Sequence, residues 1–231
     1  AAGRLNRTYG GAALPLAERE PAFQERQRRH VVERSRIGAY AAAMIGRGEV
    51  LMVDSGSTTL HFARHLASTA ARATVITNSP AIAATLAVND AIRVLLCPGE
   101  FGAHEGGVFG PHAAEFLRRL RADRAVIGAS GLDASGPSEA STEAAGVKRA
   151  MIDAAGQVML LVDASKFDRI HLESFCPLAD LDDIVVDRPP PAGLGAAIRA
   201  ADVRLHVASG QPGARKAVVG KGWNESSLLN D

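Results

Sequence analysis

Short apolar runs alternate along this chain with longer stretches of helical period. Residues 50–53 form a continuous apolar run, which predicts a strand. One face of a predicted helix carries Val31, Arg34, Ile37, Ala41 and Met44. Gly or Pro residues separate most of these segments. The predicted strands span 49–53, 74–77, 92–96, 125–128, 158–162, 184–186 and 203–207, and the predicted helices span 31–45, 57–66, 80–87, 111–120, 142–155 and 193–200.

Strands that are apolar on both faces, each followed by a helix, are typical of a parallel sheet covered on both sides. The pattern therefore predicts an α/β, Rossmann-like fold with a mostly parallel sheet. Residues 1–30 lack apolar periodicity and are predicted to be a linker or arm, with a helix beginning in their last third. We expect the α/β domain over 31–208 and a loose tail over 209–231.

Composition excludes several classes of protein. The chain has 231 residues, of which 47% are hydrophobic, and its 26 basic and 25 acidic side chains give a net charge of +1. These values argue against a disordered chain and against a strongly basic nucleic-acid binder. No apolar run approaches the ~20 residues of a membrane span, no signal peptide is visible, and the two cysteines are far apart. We expect a cytoplasmic protein with no membrane partner, cofactor or metal.

The residues after the first strand of the predicted domain are small and polar. Segment 54–59 reads Asp-Ser-Gly-Ser-Thr-Thr and leads directly into a helix. Ligands of open α/β sheets bind at the carboxyl ends of strands, and N–H groups at a helix N-terminus attract anions. The segment predicts a phosphate site, although the alternative that Ser57 to Thr59 only cap the helix is equally open. It is not a P-loop, because the Gly-x-x-x-x-Gly-Lys spacing is absent.

Two lysines stand out because nearly all other basic residues are arginine. Lys166 follows a strand end at Asp163, and the two either bind a ligand or form a surface ion pair of little energetic value. Lys148 falls on the apolar stripe of a predicted helix. A lysine in that position either extends to solvent, which is the more common case, or points into a polar site.

Three other features point more weakly to chemistry. His61 and His65 are four residues apart on a predicted helix, but no third metal ligand accompanies them, so a metal site is not favoured. Segment 104–107 is a glycine-rich loop, which is either a lid or an ordinary loop. Arginines 118, 119, 121 and 124 form a basic run, which we interpret as a solvated helix end.

Taken in order, the strand-end segments resemble motifs of DeoR-type transcriptional regulators. Segment 54–59 is similar to that family's Asp-Ser-Gly-Thr-Thr signature, and Val-Ile-Thr-Asn-Ser at 75–79 resembles its next strand end. Segments 128–133, 147–151 and 161–167 follow in the family's order. Residues 7–12 resemble the segment just after the family's winged helix-turn-helix head, so the resemblance implies that this DNA-binding head is missing from the chain.

The resemblance implies an effector-sensing domain with a fold similar to ribose-5-phosphate isomerase and glucosamine-6-phosphate deaminase. It implies a homo-oligomeric regulator, more often a repressor, that binds a phosphorylated sugar or related metabolite without turnover and contacts operator DNA through the missing head. The candidate ligand-binding residues are Asp54, Ser55, Gly56, Ser57, Thr58, Thr59, Thr77, Asn78, Gly99, Gly131, Lys148, Asp163 and Lys166.

Two departures from the family pattern lie near this expected site. The family usually has a Gly-Gly pair after the third strand, where this chain reads Cys-Pro-Gly-Glu over 97–100. It often has a glutamate four residues before the helix lysine, a position that holds Ala144 here, with Glu143 one residue off the register.

Two alternatives to a regulator remain open. A sugar-phosphate isomerase or deaminase on the same fold needs a positioned general base, and Asp133, Glu143 and Asp163 are the nearby acids. A nucleotide-binding domain is less well supported, because no Gly-x-Gly-x-x-Gly follows the first strand.

Overall fold

A computed structural model describes residues 6–8, 11–13, 20–69 and 72–209. Nearly all of the predicted tail and much of the predicted arm therefore lie outside the described residues. Along the chain the strands are β1 (Asn6–Thr8), β2 (Gly11–Ala13), β3 (Val50–Val53), β4 (Ala73–Thr77), β5 (Ile92–Leu96), β6 (Glu100–Gly102), β7 (Gly107–Phe109), β8 (Ala122–Ile127), β9 (Gly131–Asp133), β10 (Gly136–Glu139), β11 (Ala155–Leu161), β12 (Glu173–Ser174), β13 (Asp183–Val186) and β14 (Arg204–Val207). The α-helices are α1 (Phe23–Arg26), α2 (Val31–Ala42), α3 (Ser57–Ala67), α4 (Pro80–Leu86), α5 (Pro111–Arg118), α6 (Thr142–Asp153) and α7 (Ala192–Ala200).

Seven strands form one parallel sheet in the order β14-β13-β11-β8-β3-β4-β5. Each of these strands was predicted from its apolar run, as were helices α2 to α7, with ends that differ by a few residues. The prediction of a Rossmann-like α/β fold with a mostly parallel sheet is confirmed. Because the strands run in one direction, their carboxyl ends share one edge of the sheet.

The two faces of the sheet bury separate hydrophobic clusters, because side chains alternate along a strand. In β3, Leu51 and Val53 pack with residues of α2, α3 and α4, whereas Met52 packs with residues of α5, α6 and α7. Helices therefore cover both faces, as the sequence pattern predicted.

Three smaller antiparallel sheets were not predicted, and β1 and β2 form one of them. Strands β6 and β7 form a hairpin, and β9, β10 and β12 form a three-stranded sheet in the order β12-β10-β9. The last two sheets join the main domain at strand ends: Val108 N donates to Asn78 O at 2.6 Å after β4, and Ser130 N donates to Ser138 O at 3.0 Å after β8. These additions build walls around the carboxyl edge of the main sheet.

Residues just before α2 also pack against the domain. Phe23, in α1, is buried, and its N–H donates to the carbonyl of His104 at 2.7 Å in the β6–β7 turn. A side chain on Gly106 would collide with the Phe23 ring, so this turn and α1 are closely packed. Among the described residues, no helix combines the length and apolar character that crossing a membrane requires.

Candidate functional site

Polar residues follow four neighbouring strands of the main sheet and are buried there. Asp54 follows β3, Asn78 follows β4, Ser130 follows β8 and Asp163 follows β11, and each is at most 3% exposed. Buried polar groups are costly unless they are paired or serve a ligand. Their position at the carboxyl edge of a parallel sheet is the usual position of ligand sites in this class of fold.

The N-terminus of α3 faces a pocket at this edge. Gly56 is the N-cap residue and supplies no side-chain cap, while Thr59 Oγ1 accepts from the Gly56 N–H at 2.8 Å and donates to the Asp54 carbonyl at 2.9 Å. Ser57 and Thr58 do not cap the helix, and both line the pocket. Since first-turn N–H groups have no partner within a helix, this end of α3 is suited to an anion.

Lys148 reaches the same pocket from α6. Its side chain is 7% exposed, and its Nζ pairs with Asp54 Oδ2 and lies 3.3 Å from Glu139 Oε1. The commoner expectation for a lysine on an apolar stripe, extension to solvent, is therefore wrong here. Glu139 also accepts from Ser130 Oγ at 2.7 Å, and Asp54 Oδ2 accepts from the Gly128 N–H at 3.1 Å. These bonds fix the two carboxylates around the amine.

Burial shifts the titration of this cluster. It raises the pKa of Glu139 to about 7, against the lowering effect of the Ser130 hydrogen bond. It lowers the pKa of Lys148 to about 7, while the two adjacent carboxylates favour the charged amine and so act in the opposite direction. Glu139 and Lys148 thus have pKa values near neutral pH, so a charged ligand beside them would change how far each is protonated.

Asp163 and Lys166 do not form an ion pair with each other. Arg34, buried on α2, donates from Nε to Asp163 Oδ2 at 2.9 Å, and Ser165 N–H donates to Asp163 Oδ1 at 3.0 Å. Burial alone would raise the pKa of Asp163, but Arg34 and Ser165 outweigh it and hold that pKa below its usual value. Lys166 Nζ instead lies 2.8 Å from Glu20 Oε1.

The pocket has a volume of about 490 Å³, including its opening to solvent. Six of the predicted ligand-binding residues line it, namely Ser55, Gly56, Ser57, Thr58, Lys148 and Lys166. It is also lined by residues absent from the predicted set, namely Glu20, Arg26, Arg34, Glu105, Gly128, Ala129, Glu139 and Ala144.

Three other predicted residues lie directly behind the pocket wall. Asp54 supports Lys148, and Thr59 supports the start of α3, as described above. Asn78 donates from Nδ2 to Ser55 Oγ at 3.2 Å and to the Val108 carbonyl at 3.1 Å. Within the described part of the chain, Asp54 Oδ1 and Asn78 Oδ1 are buried without a hydrogen-bond partner. Both oxygens are thus fully buried acceptors next to the pocket, without a partner among the described residues.

The remaining predicted residues have visible structural roles. Thr77 Oγ1 donates to the Val53 carbonyl at 2.7 Å and accepts from the Ser79 N–H at 3.0 Å. Gly99 has a φ of +145°, and a Cβ there would lie 2.4 Å from Phe109 O. A Cβ on Gly131 would lie 2.3 Å from Arg169 O. Asp163 borders a neighbouring depression with Asp187 and Arg188.

The two places where the sequence departs from the family pattern, at 144 and at 97–100, differ in whether they reach the pocket. Ala144 lines the pocket, whereas Glu143 is exposed and accepts from Ser141 Oγ at 2.9 Å, which holds it at the helix end. Cys97 is buried, and burial raises the pKa of its thiol to about 12. The chain therefore has no carboxylate at 144, and Glu139 is the carboxylate that contacts Lys148 in addition to Asp54.

The weaker candidates of the sequence have ordinary environments. His65 Nε2 lies 3.0 Å from Ser35 Oγ, and burial lowers the pKa of His61 to about 4. No group of three or more metal-ligating side chains occurs among the residues described. Segment 104–107 forms the tight turn of the β6–β7 hairpin and its flank, with Glu105 at the pocket.

Sequence reasoning missed Glu20, Arg26, Arg34 and Glu139. Arg34 carried a usable signal, because it falls on the apolar face of α2 with Ile37, as Lys148 does on α6. Glu20 and Arg26 carried none, since only the packing of α1 against the β6–β7 turn brings them to the pocket. Glu139 lies in β10, whose sequence Gly-Pro-Ser-Glu has no apolar run from which a strand could be predicted.

Comparison with known proteins identifies the family. The model of the DeoR C-terminal sensor domain matches residues 29–188. The chain is 30% identical over 189 residues to the glycerol-3-phosphate regulon repressor of Escherichia coli (strain K12), covering 81% of this chain and 75% of that protein. It is 32% identical over 185 residues to the HTH-type transcriptional repressor GlcR of Bacillus subtilis (strain 168), covering 80% and 71% respectively.

Solved structures match this chain at low sequence identity. The tetrameric eIF2B-beta2-delta2 complex from C. thermophilum matches with a TM-score of 0.52 and 16% identity over 73% of this chain and 60% of that chain. Ribose 5 phosphate isomerase A from Neisseria gonorrhoeae matches with a TM-score of 0.45 and 16% identity over 59% and 53%. With the family model covering well over half of its residues, this chain belongs to the DeoR family of transcriptional regulators and contains the family's C-terminal sensor domain.

Proposed function

We propose that this chain binds a phosphorylated sugar or related metabolite in the pocket at the start of α3, and that binding controls the affinity of a repressor for its operator. The observation that carries the proposal is that the uncapped N-terminus of α3, Lys148 and Lys166 line the same pocket. Helix N-terminal amides together with ammonium groups are the usual partners of a phosphate in proteins.

The two orphaned oxygens of the site suit the other end of such a ligand. Asp54 Oδ1 and Asn78 Oδ1 are acceptors only, so they favour the hydroxyl groups of a sugar or polyol over a second phosphate. The name of the Escherichia coli relative, a glycerol-3-phosphate regulon repressor, is in keeping with a small phosphorylated polyol. For this chain, these acceptors together with the cations support a phosphorylated sugar or polyol as the class of effector.

Operator DNA and further copies of the chain are the proposed macromolecular partners. We place operator recognition outside residues 31–208, which we propose as the sensing domain. A repressor that binds paired half-sites needs two-fold symmetry, so we propose a homo-oligomer in the cytoplasm.

One observation favours the alternative of an isomerase or deaminase. Glu139 is a pocket carboxyl whose pKa burial raises to about 7, which is a suitable value for a general base. Against this role, both of its oxygens already have partners, Ser130 and Lys148. The three acids that the sequence offered for this chemistry, Asp133, Glu143 and Asp163, lie outside the pocket lining. Turnover therefore decides between the two functions.

The test is a thermal-shift screen followed by an activity assay. D-glucose 6-phosphate, D-ribose 5-phosphate and sn-glycerol 3-phosphate are each compared with the unphosphorylated compound and with inorganic phosphate. A ligand present at a hundred times its Kd should add about 2.7 kcal/mol to the free energy of unfolding. We expect a phosphorylated compound to stabilise the protein without being converted. Conversion at ordinary enzyme rates would favour the alternative, and no stabilisation by any phosphorylated compound would contradict the proposal.

A further inference from the structure

Glu20 is a buried carboxylate in a pocket that otherwise suits an anion. Its side chain is 9% exposed, its Oε1 lies 2.8 Å from Lys166 Nζ and 3.8 Å from Arg26 Nη1, and its Oε2 lies 3.9 Å from His171 Nε2. The proposed function gives no role to a carboxylate at this point. Glu20 thus lies beside two cations of the pocket, Lys166 and Arg26, where an anionic group of a ligand would bind.

Glu20 differs from the other acids of the site in how it is held. Asp54 and Asp163 directly follow strands of the main sheet, and Glu139 is the last residue of β10. Glu20 instead precedes α1, in the segment 20–30 that leads into α2. Besides the Phe23 side chain, this segment is attached through the Phe23 hydrogen bond to His104 and through Arg26 Nη2, which donates to the Glu105 carbonyl at 3.2 Å. Arg34 Nη1 also donates to the Arg26 carbonyl.

We propose that the Glu20 carboxylate occupies the position beside Lys166 in the ligand-free protein, and that an anionic group of the ligand displaces it. This inference rests on the proposed function. A carboxylate and a phosphate cannot share one small cationic position, because like charges about 4 Å apart repel strongly away from bulk water. When the ligand binds, Glu20 leaves, and segment 20–30 loses its ion pair with Lys166.

Displacement provides a physical link between the ligand and the chain that precedes the sensor domain. Because coupling between two equilibria is reciprocal, release of segment 20–30 increases ligand affinity by the same factor by which the ligand favours release. Removing the Glu20 charge should therefore tighten ligand binding and also loosen the segment in the absence of ligand.

The experiment combines calorimetric titration with hydrogen exchange. Three proteins are titrated: wild type, Glu20→Gln and Glu20→Ala. Each receives the three phosphorylated compounds of the screen and, separately, inorganic phosphate. Glu25→Gln is the matched control, because Glu25 lies in the same segment and forms an exposed ion pair with Arg29. Exchange of backbone amides in segment 20–30 is measured with and without each ligand.

We expect both Glu20 variants to bind about five-fold tighter than wild type, the factor that loss of a competing pair worth about 1 kcal/mol would give. Ligand should accelerate exchange in segment 20–30 of wild type and Glu25→Gln, and the Glu20 variants should exchange faster before ligand is added. Equal affinities with exchange that does not respond to ligand would overturn the displacement while leaving the proposed function intact. If no variant binds any of the compounds, both proposals fail.

Discussion

At the scale of single residues, two cations on apolar helix faces share one explanation. Lys148 on α6 and Arg34 on α2 are both buried, and each meets a carboxylate that follows a strand of the main sheet, Asp54 or Asp163. A buried charge is tolerated only when it is paired, so the side chain and its partner must be placed together. The helix periodicity identifies the unusual cation, but only the fold identifies its partner.

The first prediction concerns Lys166 and ligand affinity. Lys166→Ala should lower the affinity for the best phosphosugar about ten-fold or more, because a charge-assisted contact to phosphate is worth about 1.5–3 kcal/mol. The free energy of unfolding of the ligand-free protein should also fall, by about 1–3 kcal/mol, because the pair with Glu20 is largely buried and its carboxylate loses a partner. Calorimetric titration and urea denaturation measure the two effects.

Lys166→Arg is the conservative control for this variant. It keeps the charge but presents a wide planar fork, so it should recover only part of the lost affinity. Wild-type affinity in Lys166→Ala would remove Lys166 from the ligand site and leave Lys148 as the remaining lysine at the pocket.

The second prediction concerns Glu139 and pH. Its pKa is raised to about 7 in the fold from 4.5, so between these values the native state binds more protons than the unfolded state. Its contribution to stability is therefore complete below pH 4.5 and is lost as the pH rises through 7. Relative to Glu139→Gln, wild type should lose about 2–3 kcal/mol of unfolding free energy between pH 5 and pH 8.

Glu143→Gln is the control for removing a carboxyl from the same region. Hydrogen bonds from its own backbone amide and from Ser141 lower the pKa of Glu143, so its contribution is present above pH 4.5 and is lost only below it. The difference in free energy of unfolding between wild type and Glu143→Gln should stay constant from pH 5 to pH 8. If the difference between wild type and Glu139→Gln is equally constant, the pKa of Glu139 is not raised and the prediction is wrong.

At the scale of elements, α2 and α3 pack unusually closely at one glycine. A Cβ on Gly38 would lie 2.6 Å from backbone atoms of His61 and Phe62. Because the obstacle is backbone, the helices must move apart to accept a side chain. This close approach keeps Arg34 on α2 beside the strand end at Asp163, so it supports the site as well as the core.

The third prediction follows from this contact. Gly38→Ala should destabilise the protein by about 1–3 kcal/mol, the usual effect of overpacking, despite the better helix propensity of alanine. Gly146→Ala on α6 is the matched control, since a Cβ there meets nothing within 4 Å and should be neutral or stabilise by up to about 1 kcal/mol. Urea denaturation of both variants measures the difference. A Gly38→Ala variant as stable as Gly146→Ala would contradict the packing described here.

The main sheet and its helices were predictable, whereas the elements around the site were not. Continuous apolar runs and helical periods depend on local sequence, so β3 and α3 could be assigned within a few residues. Strands such as β10, with Pro137 and Gly136, and β6 have no alternating pattern and exist only through their pairing partners. For this reason segment 54–59 and the two lysines were found, and Glu20 and Glu139 were not.

At the scale of the whole molecule, charge bears on the proposed division between sensing and DNA binding. The net charge is +1, and the basic run over 118–124 is partly neutralised, because Arg124 pairs with Glu49 and Asp183. Affinity for DNA depends strongly on the number of phosphates that basic side chains neutralise.

The fourth prediction is that residues 1–231 alone bind DNA weakly. An electrophoretic shift assay at physiological salt, with DNA from the regulator's own promoter, measures this directly. The apparent Kd should lie in the non-specific range of about 10⁻⁴ to 10⁻⁶ M and should be the same for an unrelated sequence. Tight binding that depends on sequence would place operator recognition within this chain.

The central claim is that a phosphate binds between the start of α3 and the pocket lysines. The most direct measurement is a crystal structure of the protein with the phosphosugar that stabilises it most. The account predicts phosphate oxygens about 2.7–3.2 Å from the backbone nitrogens of Ser57 and Thr58 and from Lys166 Nζ, with a sugar hydroxyl on Asp54 or Asn78. A ligand bound elsewhere, with the first turn of α3 and Lys166 free of it, would contradict the account.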